Sequence, residues 1–160
     1  MIVAQVTQKD NGLLDRIRSI TNKYQATIEV GYDARSMYKH PIGARRDPNP
    51  DPISMKDLAQ NHEEGRGVPA RPFMQPALDA NRRKYGLMVK ANITPIFRRK
   101  KTLQRSWNEL GLVAIEDIRS YMKVPGNFKP LAEETIYRKQ GSTPLLDTGQ
   151  LREKLQFKVK

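Results

Sequence analysis

Apolar residues recur along the chain in two periods, and the switch between them marks out its elements. Leu13, Leu14, Ile17, Ile20 and Tyr24 fall at helical spacing with Asp15, Arg16 and Arg18 opposite, which predicts an amphipathic helix over 10–24 capped by Asp10 or Asn11. Ala26, Ile28, Val30 and Tyr32 then alternate with Thr27, Glu29 and Gly31, the period of a strand with one buried face. A matching alternation closes the chain, where Leu155, Phe157 and Val159 stand against Lys154, Gln156, Lys158 and Lys160. The expected partner of this terminal strand is the strand at 26–32, in a small antiparallel sheet.

Between the strands the pattern is helical. Ser54 is placed to cap a short helix, with Asp57 at the capping-box position, Ile53 positioned to staple onto Leu58, and Gly65 or Gly67 as the stop. Pro69, Pro72 and Pro76 then force an extended entry into the next element. That element is a helix over 73–93 with Phe73, Ala77, Ala80, Leu87, Met88 and Ala91 as its inner stripe, ended by Thr94-Pro95. Arg98, Arg99, Lys100 and Lys101 occupy a short helical or turn element before the clearest helix of the chain. There Leu103, Trp107, Leu110, Ala114, Ile118 and Tyr121 keep the 3.6-residue period, Trp107 reads as core, and Gly111 reads as a close helix crossing or a bend. Residues 131–140 are expected to form a short helix, and Asp147 to cap one further turn. The fold class is therefore α+β, a single domain over 1–160 with long central helices packed on a small antiparallel sheet. Residues 33–52, with four prolines and no apolar period, make an extended loop, either an arm that grips a neighbour through Met37, Tyr38, Arg45 and Arg46 or a disordered surface segment.

Composition narrows the function. A mean hydropathy of −0.71 and the lack of a long apolar run point to a soluble chain with no membrane partner, and the first residues have no secretory-signal pattern. With no cysteine, disulfides, thiolate nucleophiles and cysteine-based zinc sites drop out, and two histidines, His40 and His62, leave little for imidazole chemistry. Charge is the strongest signal: 29 Lys and Arg against 17 Asp and Glu give +12. The excess is central, with 11 basic and 4 acidic residues over 73–123. Such a surface is either a solubilising helix face or one that meets a polyanion.

Catalytic patterns are missing. His62-Glu63-Glu64 has Arg66, not histidine, one turn on, so His62 reads as a helix-terminal residue that satisfies a carbonyl or packs locally. Asp147-Thr148-Gly149 occurs once, whereas an aspartic-protease site needs two carboxylates sharing a proton. No phosphate-binding glycine loop and no nucleophile elbow are present, and no cofactor is expected.

Two segments carry a family likeness. The first runs through Leu58-Ala59, His62-Glu63, Gly65, Val68-Pro69-Ala70-Arg71-Pro72-Phe73 and Pro76; the second through Thr135-Ile136, Arg138-Lys139 and Thr143-Pro144-Leu145-Leu146-Asp147-Thr148-Gly149-Gln150-Leu151-Arg152. Together they resemble the neck and tail-completion proteins of tailed bacteriophages, the group of virion-morphogenesis and minor tail proteins similar to lambda Z, over roughly residues 54–160. The chain departs from that pattern at Glu153, where a serine-like residue is usual, and in the 33–52 loop. The resemblance implies a structural virion protein, not an enzyme, assembled in the host cytoplasm into a homo-oligomeric ring of six or twelve copies at the head-tail junction, against connector and tail-terminator proteins. Arg71 and Phe73 are expected at subunit contacts beside the loop residues of the arm reading, and the resemblance places His62, Glu63, Pro69, Pro72, Asp147, Thr148 and Gly149 in the motifs themselves. Arg98, Arg99, Lys100 and Lys101 would face DNA or an acidic neighbour. Arg71 has a second reading, holding carbonyls or a carboxylate such as Glu63. The alternative function is a small basic nucleic-acid-binding module.

Overall fold

A computed structural model describes residues 27–40, 51–139, 144–145 and 148–160. The helix expected at 10–24, Arg45, Arg46 and Asp147 lie outside these residues. In the described part, strand β1 (Ile28–Gly31) is followed by helices α1 (Met55–Glu64), α2 (Met74–Phe97) and α3 (Leu103–Met122). A 3-10 turn at Pro125–Asn127, short helices α4 (Glu133–Lys139) and α5 (Gln150–Glu153), and strand β2 (Gln156–Val159) complete the chain. The fold is α+β, as the periods predict.

The two strands pair antiparallel, with Ile28 opposite Val159 and Val30 opposite Phe157. Reciprocal bonds between Thr27 and Lys160, both 2.9 Å, extend the ladder by one pair. Side-chain alternation and pairing agree because the register that joins Val30 to Phe157 puts both on the face toward the core.

Helix α3 lies on that face. Thr102 caps it by accepting the Arg105 N–H at 3.2 Å, and Ala114, Ile115, Ile118 and Met122 form its buried side. Gly111 meets the sheet and not another helix. A Cβ there would come within 2.3 Å of the Phe157 ring, so the glycine makes room for a strand side chain. The core gathers Met55 and Ala59 of α1, Phe73, Ala77, the inner side of α3, and Phe128, Leu145, Leu151 and Leu155.

Helix α1 begins as expected. The Ser54 hydroxyl accepts the Asp57 N–H at 3.0 Å and donates to the Asp57 carboxylate at 2.6 Å. It ends at Gly65, whose φ of 79° turns the chain back and lets its N–H reach the Asn61 carbonyl.

Helix α2 corrects two expectations. It does not stop at Thr94-Pro95 but runs through Pro95 to Phe97. Proline costs the helix one hydrogen bond, yet Ile96 is buried against Leu103 and its neighbours on α3, and that packing holds the last turn together. Bonds from Arg98 N to Thr94 O (3.0 Å) and from Lys100 N to Pro95 O (2.9 Å) carry the chain into a reversal at Arg99, whose φ is 55°. The 98–101 segment is thus the turn between α2 and α3. The inner stripe is also different: Ala77 and half-buried Met88 face inward, but Leu87 is 58% exposed and Ala80 and Ala91 are exposed too. The inward line passes through Leu78, Asn81, Tyr85, Val89, Asn92 and Ile96, because beyond Leu78 the neighbour that α2 follows is α3 and not the body.

This gives the molecule two parts. Among the described residues the core cluster takes nothing between Leu78 and Ile115, so residues 81–112 stand as a two-helix arm, whose α2 side, Asn81–Phe97, is about 25 Å long. Its seam holds Met88, Val89, Ile96, Leu103, Leu110 and Trp107; the tryptophan is half-buried there, not in the main core as expected. Lys84 and Asp117 pair at 2.6 Å near the base. No described helix is long and apolar enough to cross a membrane.

Two glycines of these helices have opposite surroundings, and alanine at each separates them. Gly111→Ala is expected to destabilise the protein by about 1–3 kcal/mol through overpacking against Phe157, and Phe157→Ala to reduce that penalty in the double variant. Gly86→Ala, where a Cβ would meet nothing within 4 Å, is expected to stabilise it by about 0.5–1 kcal/mol. Urea unfolding monitored by circular dichroism checks both.

Candidate functional site

The first motif builds a joint between α1 and α2. Because Pro72 precedes Phe73 and the N-cap position carries no capping side chain, α2 starts with orphan N–H groups. Glu63 supplies the missing acceptor from the previous helix: its carboxylate takes the N–H groups of Phe73 (2.8 Å), Met74 (3.3 Å) and Gln75 (3.1 Å). The Phe73 ring goes into the core with no exposed surface. Arg71, 6% exposed, donates to the carbonyls of Lys129 (3.3 Å) and Pro130 (3.5 Å), while its own N–H reaches the His62 carbonyl at 2.7 Å. Arg71 therefore holds carbonyls, and Glu63 is engaged elsewhere. Both Arg71 and Phe73 sit inside the chain, which is where their structural roles place them, and not on its surface as subunit contacts. Pro69 and Pro72 keep the linker extended across this joint.

The second motif is a fastening point for three other elements. Gly149, with φ of 76°, precedes α5, and the Thr148 hydroxyl accepts from the Gln150 side-chain amide at 2.8 Å. The same Gln150 amide pairs with the backbone of Lys39 in both directions, accepting its N–H at 2.9 Å and donating to its carbonyl at 2.7 Å. Tyr32 donates its hydroxyl to the Leu151 carbonyl at 2.6 Å; burial, reinforced by the Glu63 carboxylate and opposed by Arg119, pushes this phenol well above its ordinary value and keeps it a donor. Arg119 of α3 donates to the carbonyls of Arg152 (2.9 Å), Glu153 (3.3 Å) and Leu155 (3.5 Å), satisfying the end of α5.

The described ends of the 33–52 loop are ordered. Met37 and Ser54 form an antiparallel bridge, and Tyr38 donates its N–H to the Ile53 carbonyl at 2.9 Å. Tyr38 packs against the core and edge-on to His40 at 4.8 Å, while Met37 is 45% exposed with its carbonyl held by Lys154 at 2.6 Å.

Both motifs line one cleft of about 640 Å³. Leu58, His62 and Pro69, residues 130–132 with Thr135, and residues 148–151 line it together. The lining is mainly apolar and includes no carboxylate among the described residues, and no group of three metal-ligating side chains occurs there or elsewhere in the described chain. Such a cleft can seat an apolar segment.

The basic residues separate by position. Arg98, Arg99 and Lys100 are exposed at the tip of the arm. Lys101 turns inward instead, onto the carboxylate of Glu109 and the side-chain oxygen of Asn92 at 2.6 Å, because the reversal at Arg99 directs it back into the seam. The hydrogen bond from Lys101 is the main reason that the Glu109 carboxyl lies below its ordinary value, and Arg105 at 3.2 Å adds to it. Sequence reasoning missed Gln150 and Arg119 as fasteners and Glu63 as the cap. Only Glu63 had a local signal, an acid ten residues before a helix start that lacks its own cap.

Compared with family models, with characterised proteins and with solved structures, the chain matches none.

Two variants test these fastenings, one at each motif. Glu63→Ala is expected to cost about 1–2 kcal/mol by returning three N–H groups to no acceptor. For Tyr32, a raised native value means that its stabilisation is complete below the ordinary phenol value of 10.0 and is lost as pH rises above it, since the unfolded chain then ionises first. Tyr32→Phe is expected to be less stable than the parent at neutral pH and to lose less of its stability in moving to alkaline pH, read from urea midpoints on both sides of that value.

Proposed function

We propose that the chain is a structural virion protein of the phage neck, which forms a homo-oligomeric ring of six or twelve copies joining the head connector to the tail around the DNA passage. The observation that carries this reading is the convergence of the two family-like motifs, 58–76 and 135–152, on one cleft. Residues of these motifs act as fasteners in and beside it: a cap, a carbonyl clamp and an amide pair. A protein that works by holding neighbours needs such a braced body. The arm supports the reading too, because Leu112 of α3, 60% exposed, leaves a large apolar side chain on its surface, of the kind that neighbouring subunits cover. The ring acts by binding, without turnover, against connector and tail-terminator proteins.

The concentration of charge on the arm favours a second reading, a small basic nucleic-acid-binding module that acts as a monomer.

Native mass spectrometry of the purified chain, joined to cryo-electron microscopy of the particles that contain it, separates the two. The neck reading expects a six- or twelve-fold ring at the head-tail junction. A monomer in solution that is absent from every particle refutes it and leaves the module.

A further inference from the structure

We propose that the outer edge of the arm binds the phosphate backbone of duplex DNA through Arg83, Lys90, Arg98, Arg99 and Lys100, with Gly86 as the point of closest approach. For its biological setting this rests on the reading of the chain as a protein that surrounds DNA.

Residues 81–112 hold nine Lys and Arg and one acid, Glu109, so this fifth of the chain accounts for +8 of the net +12. Part of that charge is used internally: Lys84 pairs with Asp117, Arg82 with Asp79, and Lys101 and Arg105 with Glu109. Arg83, Lys90, Arg98, Arg99 and Lys100 are exposed, and none makes a side-chain hydrogen bond or ion pair with a described residue. On α2, Arg83 and Lys90 are two turns apart, about 10 Å along the axis, on the side opposite the inward line, and the same edge runs on to the tip.

Gly86 sits on this edge, one turn from each of them. Glycine is the residue least favourable to a helix interior after proline, and here no packing requires it, since a Cβ would meet nothing within 4 Å. Gly111 shows the contrast, because its missing Cβ makes room for Phe157. The absence of a side chain at Gly86, with exposed Leu87 beside it, opens the backbone between two cations that no described residue pairs, so that a charged surface can come close to the helix there.

Duplex backbone fits this edge better than the other polyanions. Single strands are held by stacking on exposed rings, and the arm's aromatic residues, Tyr85, Phe97 and Trp107, are largely turned from solvent. An acidic protein partner calls for an apolar centre, and here Leu87 and Ile93 stand singly on either side of the cationic line. Protein–DNA interfaces, in contrast, are polar and strongly positive.

The test is a fluorescence-anisotropy titration of the full chain with a random-sequence duplex of about 30 base pairs, from about 50 to about 200 mM salt. Five phosphate contacts predict a log-log salt slope of about −4.5 and a loss of affinity of about 500-fold across that range. Replacing the five arm cations by glutamine is expected to weaken binding at least about 100-fold at low salt and bring the slope near zero. A charge-matched body variant, Arg35, Lys39, Lys56, Lys123 and Lys129 to glutamine, is expected to keep the parental slope. Gly86→Leu is expected to weaken binding about 10-fold at unchanged slope. Equal losses in the arm and body variants, or no duplex affinity of the parent at low salt, overturn the proposal; so does poly-glutamate competing as well per charge as duplex, which identifies an acidic protein as the partner. A Gly86→Leu variant with parental affinity overturns the close approach. Sedimentation velocity on the same samples keeps the two readings apart: a lost ring with duplex affinity intact counts against the neck assembly, and an intact ring without affinity counts against this surface.

Discussion

The carboxylate of Glu63 receives the N–H groups of Phe73, Met74 and Gln75, and the course of the chain from Met74 to Met122 follows from that contact. Without a capping side chain of its own and with Pro72 just ahead, α2 has no local reason to begin where it does. A charged acceptor in the preceding helix both satisfies the orphan donors and complements the positive end of the helix dipole. It also ties down the backbone of Phe73, whose ring is fully buried in the core. Arg71 braces the same joint from the opposite side by clamping the carbonyls at 129 and 130.

From this joint the molecule divides its labour. The body contains the sheet, the inner half of α3 and both family-like motifs, and its polar side chains are spent on backbone groups: Gln150 on Lys39, Tyr32 on Leu151, Arg119 on the end of α5. The arm has a thin apolar seam and most of the net charge. Among the described residues the two helices meet along that seam with no third layer, and the polar links at both ends, Lys84 to Asp117 and Lys101 to Glu109 and Asn92, keep them in register. Those links have a second effect, since they decide which cations remain to meet a partner.

Much of this was legible in the chain. Strand pairing, the cap at Ser54, the stop at Gly65 and the whole of α3 follow from spacing and turn chemistry within a few residues, because each depends on local backbone preferences. The site was legible as a set of letters and not as a set of roles. Arg71 looked equally fit for a surface contact and for a carbonyl clamp, and Gln150 gave no sign of its partner, since Lys39 lies 111 positions away.

The sequence by itself determined which elements are helices and which are strands, that the charge is central, and that the familiar catalytic patterns are absent, whereas the start of α2 waits on the Glu63 contact. Tertiary structure alone decided which side of α2 faces inward, because that side follows whichever neighbour is present, and beyond Leu78 the neighbour is α3. It likewise decided that Pro95 stays inside a helix, since the burial of Ile96 outweighs one lost hydrogen bond, and that Gly111 serves Phe157. In each case the deciding contact joins residues that local spacing cannot relate, and only the assembled core brings them within reach.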